Sequence, residues 1–238
     1  MPKVFNTTLE SVRQIPGPRK TSTYSPILYQ DAMNHLEDRS KELMPEHIVY
    51  SARYGVSRHG QNFFGCIILA TKNGEHRGAL AVRMAYNGDY ALTLASGVYL
   101  PTYDTVTLSP ESFISLSLRS QDIQPKFEEA VDRTIYAFKG HFAQVRRQFS
   151  LFRPIKFTRD SCYGILGVLR GRDILTSTQA NEAFKQLEKY EPRYVSLYTL
   201  FNCAQAGIFK HNKAGDLPER LVQLYKFVSK NITKDYAL

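Results

Sequence analysis

The dipeptide Asn87-Gly88, set between two alternating runs, constrains this chain more than any other feature. Neighbouring antiparallel strands are joined by short loops with positive φ, and Asn-Gly suits such a loop. The flanking runs span residues 77–86 and 89–100. In the first, Leu80, Val82, Met84 and Tyr86 share one face, and Ala79, Ala81, Arg83 and Ala85 share the other. In the second, Tyr90, Leu92, Leu94 and Val98 oppose Ala91, Thr93, Ala95, Gly97 and Tyr99. One face of the hairpin is therefore large and apolar. The other is small. It reads either as a second packed face beneath a helix or as a shallow floor on which Arg83 meets a phosphate.

The period of two continues around this hairpin. Runs at 47–55 and 62–71 flank the loop-like Ser57-Arg58-His59-Gly60-Gln61, and further runs follow at 105–108 and 113–118. Ahead of them, Ser25 as cap and Pro26 in the first turn predict a helix over 26–43, with Ile27, Ala32, Leu36 and Leu43 inward. After Gln121 the period lengthens to that of helices, at about 123–152, 159–170, 178–190, 194–210 and 217–230. Strands in one block and helices in another predict an α+β fold. A central antiparallel β-meander (about 47–118) carries an N-terminal helix and a C-terminal helical block. Residues 25–238 read as a single domain, long enough to bury a real core. Residues 1–24, with Pro2, Pro16, Pro18, Arg13, Arg19 and Lys20, read as a basic flexible arm.

Charge is unevenly spread. The chain carries a formal net charge of +9, and residues 126–175 hold ten Lys/Arg against five Asp/Glu. Such a balance favours anionic partners, nucleic acid before membrane surfaces. Within the long predicted helix, Phe138, Phe142, Val145, Phe149 and Phe152 fall at steps of four, three, four and three. That spacing forms one narrow stripe and assigns these side chains to the core. The cations lie off the stripe. Lys139, Arg146 and Arg153 recur every seven residues, Arg147 points further away, and Lys156 and Arg159 continue the run past Pro154, which should end the helix. No acid occurs between Asp132 and Asp160. This face suits solvent, phosphates or an acidic protein. Stacking residues would come from the sheet, where Tyr50, Tyr54, Tyr86, Tyr90, Tyr99 and Tyr103 cluster in a chain with no tryptophan.

Several chemistries find no footing. There is no Gly-rich phosphate loop followed by Lys-Ser/Thr, and no Gly-x-Gly-x-x-Gly after a strand. The histidines His35, His47, His59, His76, His141 and His211 are scattered without metal-ligand spacing. Asp160-Ser161-Cys162 lacks a nucleophile elbow, and the pairs Glu128/Glu129 and Glu37/Asp38 read as solvated helix faces. Neither an enzyme nor a cofactor is expected. Cys66, Cys162 and Cys203 sit among apolar neighbours and read as buried free thiols of a reducing compartment. No apolar run reaches the roughly 18–20 residues of a membrane span, and no signal peptide is recognised at the start, so an intracellular protein is expected.

Two segments resemble a phage- and plasmid-borne family of unknown function. Residues 83–99 (Arg83-Met84-Ala85-Tyr86-Asn87-Gly88-Asp89-Tyr90, ending in Gly97-Val98-Tyr99) are similar to its Arg–Asn–Ser–His/Tyr–Asp–x–Ser and Gly–Val–x–Val core. Ser196-Leu197-Tyr198-Thr199-Leu200-Phe201-Asn202-Cys203-Ala204 resembles its C-terminal Ser–Leu–Trp–x–Leu–x–Asn–Ala. The family's Cys-x-Asn after the Gly-Val strand is replaced by Thr102-Tyr103-Asp104, and its following His is missing. The resemblance implies a mobile-element setting near replication and recombination functions, in the cytoplasm of an infected bacterial host.

The expectation from residues and resemblance together is a sequence-tolerant, non-enzymatic single-stranded DNA-binding or annealing protein, with DNA favoured over RNA. The sheet residues Arg53, Arg83, Tyr86 and Tyr99 would form its floor, and Lys139, Arg146, Arg147, Arg153, Lys156 and Arg159 the wall that grips phosphates. The alternatives are a factor that binds an acidic host protein, and a metal-dependent nuclease using a sheet-end carboxylate such as Asp104. No membrane partner is expected. The basic arm and an antiparallel sheet edge offer two routes to self-assembly.

Overall fold

The computed structural model describes residues 5–21, 26–57, 59–71, 77–101, 104–117, 123–190, 193–211 and 216–232. The expected cap Ser25, the expected turn residue His76 and the substituted motif positions Thr102 and Tyr103 lie outside them. The fold is α+β, as the block order predicts. Among the described residues, β1 (His47–Ser57), β2 (Asn62–Thr71), β3 (Arg77–Ala85), β4 (Leu92–Leu100) and β5 (Thr105–Leu108) pair antiparallel in sequence order. A short strand, β6 (Ile114–Leu116), completes the sheet. β5 lies along Gly97 to Leu100 of β4 while β6 lies along Leu92 to Leu94, so the two share one side of that strand.

The β3–β4 connection is longer than a two-residue hairpin. β4 starts at Leu92, and the Asn87 side chain accepts a hydrogen bond from the backbone N–H of Asp89 at 3.1 Å. Gly88 alone carries the positive φ here, 75°. Asn87 thus folds a local side-chain turn within the loop.

Both faces of the sheet are covered, which settles the double reading of the small face in favour of packing. On one side Phe63, Ile67, Leu80, Val82, Met84 and Leu94 meet α2 (Tyr29–Leu43) and the first half of α3 (Ile123–Phe152). On the other, Phe64, Cys66, Ile68, Ala79, Ala81 and Ala95 meet the end of α3 and the helices that follow it. These are α4 (Arg159–Gly171), α5 (Ser177–Glu188), α6 (Leu197–His211) and α7 (Leu217–Phe227). Alanines on β3 and β4 let this second helical layer approach closely. α3 serves both cores, through Phe127, Val131 and Phe138 on one side and Val145, Phe149 and Phe152 on the other.

α2 starts at Tyr29, three residues later than the Ser-Pro signal suggests. The Tyr29 backbone N–H donates to the Tyr86 hydroxyl at 2.9 Å, and the Tyr29 ring stacks between Phe63 and Tyr86. This docking fixes where the first turn begins. The N-terminal segment is likewise attached where it is described. Thr7 bridges to Tyr54, the Asn6 side chain exchanges two 3.0 Å hydrogen bonds with Val56, and Phe5 stacks near Phe64 and Phe209. A short helix, α1 (Leu9–Arg13), buries Val12. Residues 5–21 therefore belong to the folded body, because Phe5 and Val12 are apolar anchors within an otherwise polar stretch.

Two further strands lie among the helices. β7 (Lys156–Thr158) pairs antiparallel with β8 (Tyr194–Ser196), the segment expected to open α6. Residues 194–196 are extended, and α6 begins only at Leu197.

Candidate nucleic-acid interface

The inward stripe of α3 decides which way its cations point. Phe138, Val145, Phe149 and Phe152 are buried and Phe142 is half-buried, leaving Arg146 and Arg147 exposed on other faces. Neither guanidinium has a hydrogen-bond or ion-pair partner among the described residues. Lys139 is engaged otherwise. Its Nζ donates to the Leu43 carbonyl at 2.8 Å, a cation set on the C-terminal end of α2 where the helix dipole favours it. Arg159 is half-buried and donates to the Tyr190 carbonyl, which ties α4 to the end of the α5 region. Of the six basic candidates, Lys139 and Arg159 therefore hold the fold together.

Arg153 and Lys156 stand where α3 hands over to the β7–β8 ribbon. The Arg153 guanidinium lies 5.3 Å from the centre of the Tyr198 ring. In the ribbon Phe157 and Val195 point into the core, which turns Lys156, Thr158 and Tyr194 outward. Tyr194 is 51% exposed, pairs with Thr158 across the strands, and has the Arg193 guanidinium 5.8 Å from its ring centre. Two arginine–tyrosine contacts thus flank an exposed lysine, with Arg146 and Arg147 one to two turns back along α3. Cations and aromatic faces alternate over this end of the molecule. Arg193, Tyr194 and Tyr198 were not singled out from the sequence. No local signal marks them, because a three-residue strand beside a helix is too short for alternation to stand out.

The sheet residues meet a different fate. Arg83 is only 4% exposed. It forms an ion pair with Glu219 in the first turn of α7 and donates to Thr93 Oγ1 at 2.8 Å, so α7 covers it. Tyr86 lies toward the opposite face, its ring 3.8 Å from that of Tyr29 and within 6° of parallel. Tyr99 is buried, and its hydroxyl donates to Asp104 Oδ1 at 2.8 Å. Burial first, then the neighbouring Asp104 carboxylate, push the Tyr99 phenol up to about 12. Arg53 approaches the same carboxylate oxygen at 3.4 Å. Arg53 and Tyr99 therefore meet at Asp104, while Arg83 and Tyr86 do not join them, and the four do not make an open floor. What the sheet does expose is Tyr50, 52% accessible beside the bulge between Val49 and Ser51, with the Arg77 guanidinium 3.6 Å over its ring.

The Asp104 carboxylate is thus held by a phenol and a guanidinium. Among the described residues no group of three or more His, Cys, Asp or Glu is placed to hold a metal ion. Cys66, Cys162 and Cys203 are buried thiols outside any disulfide, and burial pushes Cys162 up to about 11. No helix among the described residues is long and apolar enough to cross a membrane. Comparison of the chain with protein-family models, with curated proteins and with solved structures finds no match.

Proposed function

We propose that this protein binds single-stranded nucleic acid without strong sequence preference, along the end of α3 and the β7–β8 ribbon. One observation carries the reading: the end of α3 and the β7–β8 ribbon carry Arg146, Arg147 and Lys156, which are exposed and have no partner among the described residues, together with the Arg153–Tyr198 and Arg193–Tyr194 pairs. A flexible strand needs cations at phosphate spacing and a ring for bases to lie on, and it tolerates any base order because every base has a π-face. Tyr194 offers that ring, and its guanidinium neighbour adds attraction to a stacked base. The resemblance of residues 83–99 and 196–204 to the phage- and plasmid-borne family fits a replication or recombination setting, with DNA as the preferred strand.

The test is a titration of a fluorescent oligonucleotide at two salt concentrations. The expected result is saturable binding that weakens steeply at the higher salt, as counterion release requires. Absence of binding at low salt, or binding indifferent to salt, overturns the reading. Retention of one acidic protein from nuclease-treated lysate, with no oligonucleotide shift, would favour the protein-partner alternative instead.

A further inference from the structure

A cleft lies where the N-terminal segment crosses the loops that join β1 to β2 and β3 to β4. Ile15, Pro16 and Pro18 form one wall of a cleft of about 300 Å³, and the β1–β2 and β3–β4 loops form the rest. Tyr86 lines it. That ring belongs to a ladder of stacked rings: Phe63 and Tyr29 are 4.6 Å apart and 13° from parallel, and Tyr29 and Tyr86 are 3.8 Å apart and 6° from parallel. The hydrogen bond from the Tyr29 N–H to the Tyr86 hydroxyl, and another from the Tyr29 hydroxyl to the Gln61 carbonyl at 2.5 Å, hold the ladder rigid. The Tyr86 ring is therefore positioned before any ligand arrives.

The polar groups are set at the rim. Asn87 Nδ2 donates to Gln61 Oε1 at 3.2 Å, which orients both carboxamides and leaves Gln61 Nε2 without a partner among the described residues. His59 also lines the cleft, on a backbone with φ 57°, a left-handed conformation that His adopts more readily than most residues with a side chain. Gly60 follows at φ 87°, and Ile15 packs against it so closely that an added Cβ would come within 3.0 Å of Ile15 Cγ2. The N-terminal segment is thus seated on the loop that presents His59. Just past Pro18, Arg19 and Lys20 are both exposed.

We infer that this cleft binds a nucleobase, with Arg19 and Lys20 near its phosphate. A cleft lined by two prolines, an isoleucine and a rigidly held aromatic ring suits a flat, apolar-faced ligand. Carboxamides and an imidazole at the rim suit the donors and acceptors along a base edge. The neighbouring cations favour a nucleotide over an uncharged aromatic compound. The cleft does not depend on the face at α3. The base it takes belongs either to a free nucleotide or to one residue of a strand.

The test uses the full-length chain, isotope-labelled, titrated with AMP and UMP, with ribose 5-phosphate and inorganic phosphate as controls. The expected result is saturable binding in the micromolar to millimolar range with resonance shifts at Ile15, His59 and Tyr86. The two controls should cause no shift at Tyr86. Gln61→Ala should weaken nucleotide binding about fivefold, the loss of one hydrogen bond. Pro16→Glu, at an exposed position on the wall, should abolish it while the thermal unfolding midpoint stays unchanged. Equal binding of ribose 5-phosphate, absence of shifts at the cleft up to 10 mM nucleotide (about ten times a 1 mM Kd), or unaltered affinity in both variants overturns the inference. Repeating the titration in Arg146→Glu/Arg147→Glu separates this site from the proposed interface, because mononucleotide binding should persist there. A dinucleotide binding more tightly than UMP in that variant identifies a base within a strand. Equal affinity identifies a free nucleotide.

Discussion

Arg83 and Glu219, 136 residues apart in sequence, form an ion pair that fastens the first turn of α7 to the middle of the sheet. The Arg83 side chain is 4% exposed and that of Glu219 is 43% exposed. Arg83 is also 5.0 Å from the Tyr90 ring centre, and the Tyr90 hydroxyl donates to Asp216 Oδ1 at 2.6 Å, at the start of the same helix. A residue that could have gripped a phosphate instead locks the two halves of the fold.

The unequal burial predicts unequal costs. Glu219→Gln takes from the buried guanidinium the carboxylate that faces it on α7 and should destabilise the protein by about 2–3 kcal/mol. Arg83→Met leaves a carboxylate that can turn to water, and a side chain of similar length in its place, so it should cost about 1 kcal/mol or less. Urea unfolding of the two variants measures the difference. Equal losses would mean that the pair is not anchored by the burial of Arg83.

A second ion pair sets a pH dependence. Glu182 on α5 is 5% exposed, and Lys210 Nζ on α6 donates to it at 2.8 Å, with Gln186 Nε2 at 2.6 Å. Burial alone would raise this carboxyl, but the Lys210 and Gln186 hydrogen bonds and the Lys210 charge outweigh it and hold it at about 2. A carboxyl depressed in the folded state stabilises above its ordinary value of about 4.3 and loses that contribution as pH falls toward 2. The loss is on the order of 3 kcal/mol between about pH 4.5 and pH 2. In Glu182→Gln that component of the acid sensitivity should vanish. Lys210→Met should cost about 3 kcal/mol near neutral pH, since it strands the buried carboxylate. Urea unfolding midpoints across this range check both.

Two glycines should respond in opposite directions. An added Cβ at Gly97 would lie 1.7 Å from the Thr107 carbonyl oxygen, so Gly97→Ala must part β4 from β5. A loss of at least about 3 kcal/mol, or failure to fold, is expected. At Gly140, mid-way along α3, nothing lies within 4 Å of an added Cβ. Gly140→Ala should therefore stabilise by about 1 kcal/mol through helix propensity alone. Thermal unfolding of both variants reads the two signs.

Gly97 also shows what sequence can and cannot convey. The alternation that places Gly97 on the small face was readable, as were the sheet order, the helical block and the inward Phe stripe of α3. Each is a local pattern repeated over many residues. What covers that small face was not readable, because Glu219 and Arg83 are joined only by the tertiary fold. The β7–β8 ribbon escaped for another reason. Its strands are three residues long, too short for alternation to stand out beside the helices that flank them. Tyr194 and Arg193 are brought to the candidate interface by the pairing of Tyr194 with Thr158, which no local pattern marks. The anchoring of the N-terminal segment rests on single residues, Phe5 and Val12, that no periodicity marks.

The candidate interface makes a quantitative prediction about salt. Each phosphate contact with single-stranded nucleic acid contributes about −0.7 to the slope of log K against log salt. Arg146→Ala/Arg147→Ala should therefore weaken oligonucleotide binding on any sequence and flatten the slope by about 1.4 if each guanidinium meets one phosphate. Tyr194→Ala should weaken binding by about 1–3 kcal/mol while leaving the slope unchanged, because stacking releases no counterions. Lys139→Ala should leave affinity near its original value, since Lys139 is occupied by the Leu43 carbonyl. The contrast between the slope effect of the arginines and the affinity effect of the tyrosine is what distinguishes a strand lying across α3 and the ribbon from diffuse attraction to a basic protein. A slope that falls by the same amount on charge removal anywhere on the surface, Lys139 included, would refute the assignment.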